Sequence, residues 1–334
     1  MKKNIISLAL IALLTLVFVL SGCGGQTAVT TPMPEATAVL LAVAPTAEPT
    51  AVPAIQAITL TDGLGSAIEL TGPAQRIISL APSNTEILFY IGAGAQVVGR
   101  DSVSDYPEAA LAVADIGGGF GELAMETIIS LQPDLVLVAD ITPPEQIKAL
   151  TDVGLTVYAL PNPTTFADLM GNLQTVAQLT GHETETAVLV SELEGRVTAV
   201  TDQIAAVTDK PLVFYELDST DPNAPWTAGA GTFIDTLIAM SGGENVGAVL
   251  DGAWAQMSIE ELLVQNPDII LLGDYTWGGV LPEDVAAREG WGGLTAVQNN
   301  TVYTFDDNTV SRPGPRLVDG LEAMAKIFHP ELFE

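Results

Sequence analysis

The sequence is poor in cysteine, histidine, basic residues and aromatics. Cys23 is the one cysteine in 334 residues, so no intramolecular disulfide and no cysteine-ligated metal centre can form. The two histidines, His182 and His329, lie far apart. Zinc and manganese sites draw on clustered His, Asp and Glu, which such a pair does not supply. Placed at a helix start and near the C-terminus, both read as exposed surface residues. Only 11 Lys and Arg stand against 41 Asp and Glu, a formal net charge of −30. That surface repels nucleic acid and anionic lipid headgroups and sets up no attractive field for anionic ligands. The plainest role of the charge is solubility. The sequence also lacks a cysteine nucleophile, a G-x-S-x-G elbow and an H-E-x-x-H helix. The glycine-rich stretch 117–121 lacks the Gly-Lys-Ser/Thr of a phosphate loop and reads as a mobile lip.

Long apolar runs are scarce too. Ile5–Leu20 has sixteen residues, short of the ~20 that span a bilayer. Lys2 and Lys3 precede it, and Leu20-Ser21-Gly22-Cys23 follows. A charged n-region, an apolar h-region and small residues before a cysteine resemble a bacterial lipoprotein signal. The resemblance implies cleavage before Cys23, a lipid on its sulfur and residence at the outer face of the cytoplasmic membrane. The alternative is an ordinary signal peptide with a stray cysteine. Loss of Lys2 and Lys3 would leave nine bases against 41 acids. Residues 24–56 are rich in Thr, Ala and Pro, and recurrent proline denies them helix or sheet. They read as an extended tether, so that 1–22 is a signal and 23–56 a lipidated linker.

What is present is a repeat. AMETIISLQPDLVLVAD (124–140) returns as SIEELLVQNPDIILLGD (258–274) at an offset of 134 residues. Glu126, Pro133, Asp134, Leu137 and Asp140 recur as Glu260, Pro267, Asp268, Leu271 and Asp274. Each copy predicts a short helix, a break at Pro-Asp and a buried aliphatic strand. The period is too long for a solenoid. It predicts two similar α/β lobes with parallel sheets, over 57–163 and 210–334, and a ligand cleft between them.

Along the chain, 58–70 reads as a β-hairpin and 76–80 as a strand. Ser83-Asn84-Thr85-Glu86 has capping-box spacing, predicting a helix from Ser83 to about Ile91. Further strands are predicted at 97–99, 156–159, 210–215 and 300–305, and helices at 145–153, 166–179, 233–240 and 317–327. Within the connecting segment 164–209, residues 183–207 carry Val188, Leu189, Leu193, Val197, Val200 and Ile204 at helical spacing. Such a helix would run roughly 37 Å as a stiff spine between the lobes. Asp105, Asp134 and Asp268 read as turn or helix caps.

Ligands of α/β folds sit beyond the C-terminal ends of parallel strands. Ser83, Trp226, Trp254 and Trp277 are predicted there, with Phe120 ahead of the first repeat as Trp254 is ahead of the second. Aromatics make up only 6% of the chain, so three tryptophans in cleft-side loops are candidate ligand contacts. The competing reading is that they plug the cores of their own lobes. Glu126 and Glu260 are equally well explained as acids at helix starts, favoured by the helix dipole.

The strings RIISLAPSNTEILFYIGAGAQVVGRDSVSDYPEA, METIISLQPDLVLVAD, PWTAGAGTFIDTLIAMSGGENV and SRPGPRLVDGLEAMAKIFHPELF resemble the Fe³⁺-siderophore/haem/cobalamin family of substrate-binding proteins of ABC importers. The resemblance spans about 57–334. It implies the helical-backbone periplasmic binding protein fold, two Rossmann-like lobes joined by one spine helix with little closure, and a monomer that binds and does not catalyse. Within the family the sequence is most similar to vitamin B12-binding proteins. Motif by motif this implies ligand contacts from Ser83, Phe120, Trp226, Trp254, Asn308 and Arg312. Val103 and Ala139 stand where those relatives carry aromatics, and the loop of Phe120 lacks the tyrosine of haem-binding relatives. The implied ligand is a corrinoid, with a ferric siderophore as the alternative, and no further cofactor. The resemblance also implies that Glu126 and Glu260 dock on arginines of a dimeric permease. Outside the class stand a secreted enzyme on the same scaffold and a structural surface lipoprotein.

Overall fold

A computed structural model describes residues 57–333. The expected signal, the expected lipidation site Cys23 and the expected tether to residue 56 lie outside the described residues. Among the described residues no helix is long and apolar enough to cross a membrane.

The hairpin forms from β1 (Ile58–Thr61) and β2 (Ala67–Leu70), with Asp62 accepting from the Leu64 and Ser66 amides in the turn. The first lobe follows: β3 (Ile77–Ser79), α1 (Pro82–Tyr90), β4 (Val97–Arg100), β5 (Ala114–Asp115), α2 (Met125–Ser130), β6 (Leu135–Ala139), α3 (Pro144–Asp152) and β7 (Val157–Leu160). Its sheet is parallel throughout, in the order β5-β4-β3-β6-β7. Helices α4 (Phe166–Thr180) and α5 (Glu183–Ile204) lead to the second lobe. There β8 (Leu212–Asp218), β9 (Trp226–Ala228), α6 (Phe233–Met240), β10 (Glu244–Asn245), β11 (Trp254–Gln256), α7 (Ile259–Gln265) and β12 (Ile269–Leu272) precede four short elements. These are α8 (Tyr275–Gly278), α9 (Pro282–Ala287), α10 (Thr295–Gln298) and β13 (Val302–Thr304), and α11 (Asn308–Ser311) and α12 (Leu317–Phe328) close the chain. The second sheet runs β11-β9-β8-β12-β13, with β10 beside β8. Strands β8, β10, β12 and β13 are parallel, while β9 and β11 form an antiparallel edge. The fold is the two-lobed α/β arrangement that the repeat predicts.

The repeat is visible atom by atom. Gln132 and Asn266 end α2 and α7 in the left-handed region, at φ 47° and 48°. The chain then turns through proline to an aspartate. Asp134 accepts from the Gln75 and Arg76 amides, and Asp268 accepts from the Leu212 amide. Each aspartate therefore ties a repeat strand to the central strand beside it. Neither caps a helix, which corrects the sequence reading. Nor is Asp105 a cap, since it forms an ion pair with Arg312.

Alternation along the strands then sorts the core. Leu135, Leu137, Ile269 and Leu271 share one cluster with Val190, Leu193, Val200 and Ile204 of α5. Val136 and Val138 face a separate cluster with Ile128 and Leu150, and Ile270 and Leu272 face another with Phe214 and Trp291. The inner faces of both lobes thus join through one core, and truncating a buried leucine there costs about 2–5 kcal/mol. On α5 the buried stripe is Thr186, Val190, Leu193, Val200 and Ile204. The predicted Val188 is instead 59% exposed, two residues from both Thr186 and Val190 and so on the face opposite that stripe. The spine ends at Ile204 and not at 207, giving about 33 Å of helix.

Two further expectations fail. Helix α1 begins at Pro82, with Ala81 as its uncapped N-terminal neighbour, so no capping box forms. Glu86 turns inward to accept from Arg316. The histidines are not surface residues. His329 is buried, with Nε2 3.1 Å from the Gly242 carbonyl oxygen, and His182 is half-buried against Thr180.

Candidate functional site

A cavity of about 630 Å³ lies between the lobes. The first lobe lines it with Leu80, Pro82, Asp101 and Val103, then Phe120 and, after β6, Ile141, Thr142 and Gln146. The second adds Asp218, Thr276, Trp277, Asp307, Asn308, Ser311 and Arg312. These follow the C-terminal ends of β3, β4 and β6 on one side and β8, β12 and β13 on the other. In the first sheet, β3 and β6 flank the point where strand order reverses, the usual crevice of an open parallel sheet.

The lip is built by three successive glycines, Gly117, Gly118 and Gly119, at φ 75°, 79° and 65°. Side chains rarely adopt that region, and a Cβ at Gly119 would lie 2.9 Å from Val103. The loop closes on itself, the Gly118 amide donating to Glu122 and the Gly121 amide to Gly118. Phe120 stands at its tip, 100% exposed. Across the cleft, Trp277 donates its indole N–H to the Leu217 carbonyl and leaves most of its ring exposed.

Polar support differs between the lobes. Asp101 is buried and accepts from Ser104 Oγ at 2.6 Å and from the Val103 amide, and the Thr85 hydroxyl lies 2.8 Å from Ser79 Oγ and 2.9 Å from Ser104 Oγ. Asp307 accepts from Tyr215 at 2.8 Å and Ser311 at 2.7 Å. Burial raises its carboxyl above the usual range, although both hydroxyls oppose the shift. Beneath the second-lobe floor, Arg288 holds Glu216 with two hydrogen bonds of 2.6 and 2.9 Å. It also donates to Ser219, which in turn donates to Asp274. Burial pushes Glu216 up to about 7, against the guanidinium, and raises Asp274 as well. One oxygen of Asp274 has no partner.

Of the residues named from sequence, Phe120, Trp277, Asn308 and Arg312 come together in this cavity. Asn308 starts α11 and donates to Asp306. Ser83 does not join them, because it sits 6% exposed in the first turn of α1. Trp226 and Trp254 lie on the β9–β11 ribbon and not in loops, and their register puts both on one face. Trp254 lines a second cavity of about 380 Å³ with Leu217, Phe233 and Val310, which shares Ser311 with the first. Trp226 lines neither. Glu126 and Glu260 are exposed in the first turns of α2 and α7.

Sequence reasoning passed over Asp101, Ile141, Gln146, Asp218, Thr276 and Asp307. All but Gln146 lie within four residues of a strand's end, and that placement was the available signal. The pairing of Asp105 with Arg312 had none, since it joins residues 207 apart.

Residues 77–309 match the periplasmic binding protein family. The chain is 30% identical over 282 residues to an uncharacterized ABC transporter substrate-binding lipoprotein, YvrC, of Bacillus subtilis, across 83% of this chain and 87% of the relative. It is 27% identical over 282 residues to a cobalamin-binding protein of Halobacterium salinarum, across 81% of this chain and 74% of the relative. Among solved structures, the periplasmic heme-binding protein RhuT of Roseiflexus superposes with a TM-score of 0.68 at 26% identity, over 78% of this chain and 99% of the other. The two-lobed fold, the crevice at the strand ends and these similarities agree: the chain belongs to the periplasmic binding protein family, as a substrate-binding protein of the cobalamin, siderophore and haem class that serves ABC importers.

Proposed function

We propose that the protein captures a corrinoid between its lobes and hands it to an importer, held at the membrane by a lipid on Cys23. The observation that carries the ligand class is the cleft itself. A mainly apolar cavity of about 630 Å³ draws its walls from both lobes, with an open aromatic ring from each, Phe120 and Trp277. Broad planar ligands bind such faces through area and stacking. The lining contains no histidine, tyrosine, cysteine or methionine. A bare haem iron would find no usual axial ligand there, whereas a corrin or a siderophore brings its metal already chelated. The similarity to a cobalamin-binding relative supports the same choice.

On this reading Glu126 and Glu260 dock on basic residues of a dimeric permease. Their equivalent positions on two equivalent helices suit a partner with twofold symmetry, and rim charges of this kind govern register and encounter. The ligand assignment is tested by titrating the purified protein with cyanocobalamin, ferrichrome and haemin in parallel. Saturable corrinoid binding with a change in its visible bands is the expected result. Binding of the ferric hydroxamate alone would replace the corrinoid with a siderophore.

A further inference from the structure

Arg312 is the one cation among the cavity-lining residues, beside three carboxylates, Asp101, Asp218 and Asp307. Its charge is already engaged. Arg312 Nη1 donates to Asp105 Oδ1 at 2.5 Å and lies 3.4 Å from Glu86 Oε1. Glu86 is buried, and Arg316 occupies both of its oxygens at 2.8 and 2.6 Å. The charge left to balance Arg312 therefore comes chiefly from Asp105, whose side chain is exposed at the cleft edge. Asp105 follows β4 of the first lobe and Arg312 follows α11 of the second, so the pair bridges the lobes. Arg316 braces the same loop, its guanidinium lying 4.1 Å from the centre of the Tyr106 ring.

We infer that Asp105 is a specificity-determining residue: by occupying Arg312 it leaves the cleft net acidic, so that the protein takes neutral or cationic chelates and rejects anionic ones. The inference rests on the cleft being the ligand site and adds the charge class of what enters. An anionic group approaching Arg312 meets a cation whose charge Asp105 already balances through Nη1. It would sit beside that carboxylate and near the three that line the cavity. Like charges at such range and reduced dielectric repel strongly, and the surrounding surface, net −30, adds to the effect. Nothing in the cavity offsets a ligand carboxylate or catecholate, because no second arginine or lysine reaches it. A neutral or positively charged chelate leaves the Asp105–Arg312 pair intact.

The test measures dissociation constants for two charge series. One holds a cyanocobalamin monocarboxylic acid, cyanocobalamin and aquacobalamin, which are anionic, neutral and cationic. The other holds a ferric tris-catecholate, ferrichrome and ferrioxamine B in the same order. Within a series that binds, the anionic member should be at least about tenfold weaker than the neutral one, and added salt should shrink the gap. Asp105→Asn should free Arg312 and cut the gap to about threefold or less, while Arg312→Gln should widen it. Circular dichroism melting confirms that each variant is folded. Equal affinity across charges in the unaltered protein overturns the inference, as does an unchanged gap in Asp105→Asn. If only the ferric series binds and keeps the same order, the corrinoid reading falls and the charge rule stands.

Discussion

Gln132 and Asn266 hold the same left-handed backbone at equivalent points of the two lobes, yet only Asn266 uses its side chain there. Asn266 donates to Thr295 Oγ1 and accepts from the Thr295 amide, both at 2.8 Å, whereas the Gln132 side chain is exposed. The two residues share a backbone requirement set by the helix–Pro–Asp turn, and differ in what else they support.

That difference predicts opposite outcomes for one substitution. Gln132→Gly removes a side chain from a strained φ and loses no hydrogen bond. It should be neutral or stabilise by up to about 1 kcal/mol. Asn266→Gly relieves the same strain but frees two groups at Thr295, and should destabilise by about 1 kcal/mol. Urea unfolding midpoints of the two variants check this. A matching shift in both would mean that the Asn266 bonds contribute nothing.

Glu216 should give stability a distinctive pH dependence. Burial raises its carboxyl from the ordinary range to about 7. Between those values the folded state holds the proton and the unfolded state does not, so stability falls as pH rises through this window and is greatest below it. Melting temperature should therefore be higher near pH 5 than near pH 8. General repulsion among the acids works in the same direction, so the comparison needs Glu216→Gln, which should flatten part of the slope. A variant with the full slope would clear Glu216 of the effect.

Trp277 and Trp226 should separate in a binding assay. Trp277 lines the cavity with its ring edge anchored, whereas Trp226 lies outside it. Trp277→Ala should weaken the ligand by about tenfold or more, in line with the ~2 kcal/mol typical of aromatic hot spots. Trp226→Ala should change affinity by less than about threefold. Titration calorimetry reads both, and a larger loss at Trp226 would move the site onto the β9–β11 ribbon.

Glu126 and Glu260 should matter for delivery and not for capture. Glu126→Lys with Glu260→Lys is expected to abolish uptake into proteoliposomes holding the partner permease, with ligand affinity unchanged. Each single change should be partial and sensitive to salt. Normal transport by the double variant would reduce both to acids that suit a helix start.

The sequence by itself determined the architecture. Aliphatic runs between Pro-Asp and a polar stop become buried parallel strands because no other placement satisfies both their apolar faces and their backbone. A fixed offset between two such units then forces two like lobes. It also marked the strand end where Trp277 meets the cavity, whereas Asn308 came from the family resemblance. What only the tertiary structure decided are the pairings across lobes. The spacing of Ser83 and Glu86 suited a capping box, but burial beside Arg316 gives Glu86 a stronger partner than a backbone amide. His329 looked like a surface residue until the core closed over it. The resemblance implied Arg312 as a ligand contact, and the approach of Asp105 across the cleft makes it an ion-paired one. Local pattern fixes which face of an element is apolar. Which charges meet depends on how the lobes dock, and no local pattern encodes that contact.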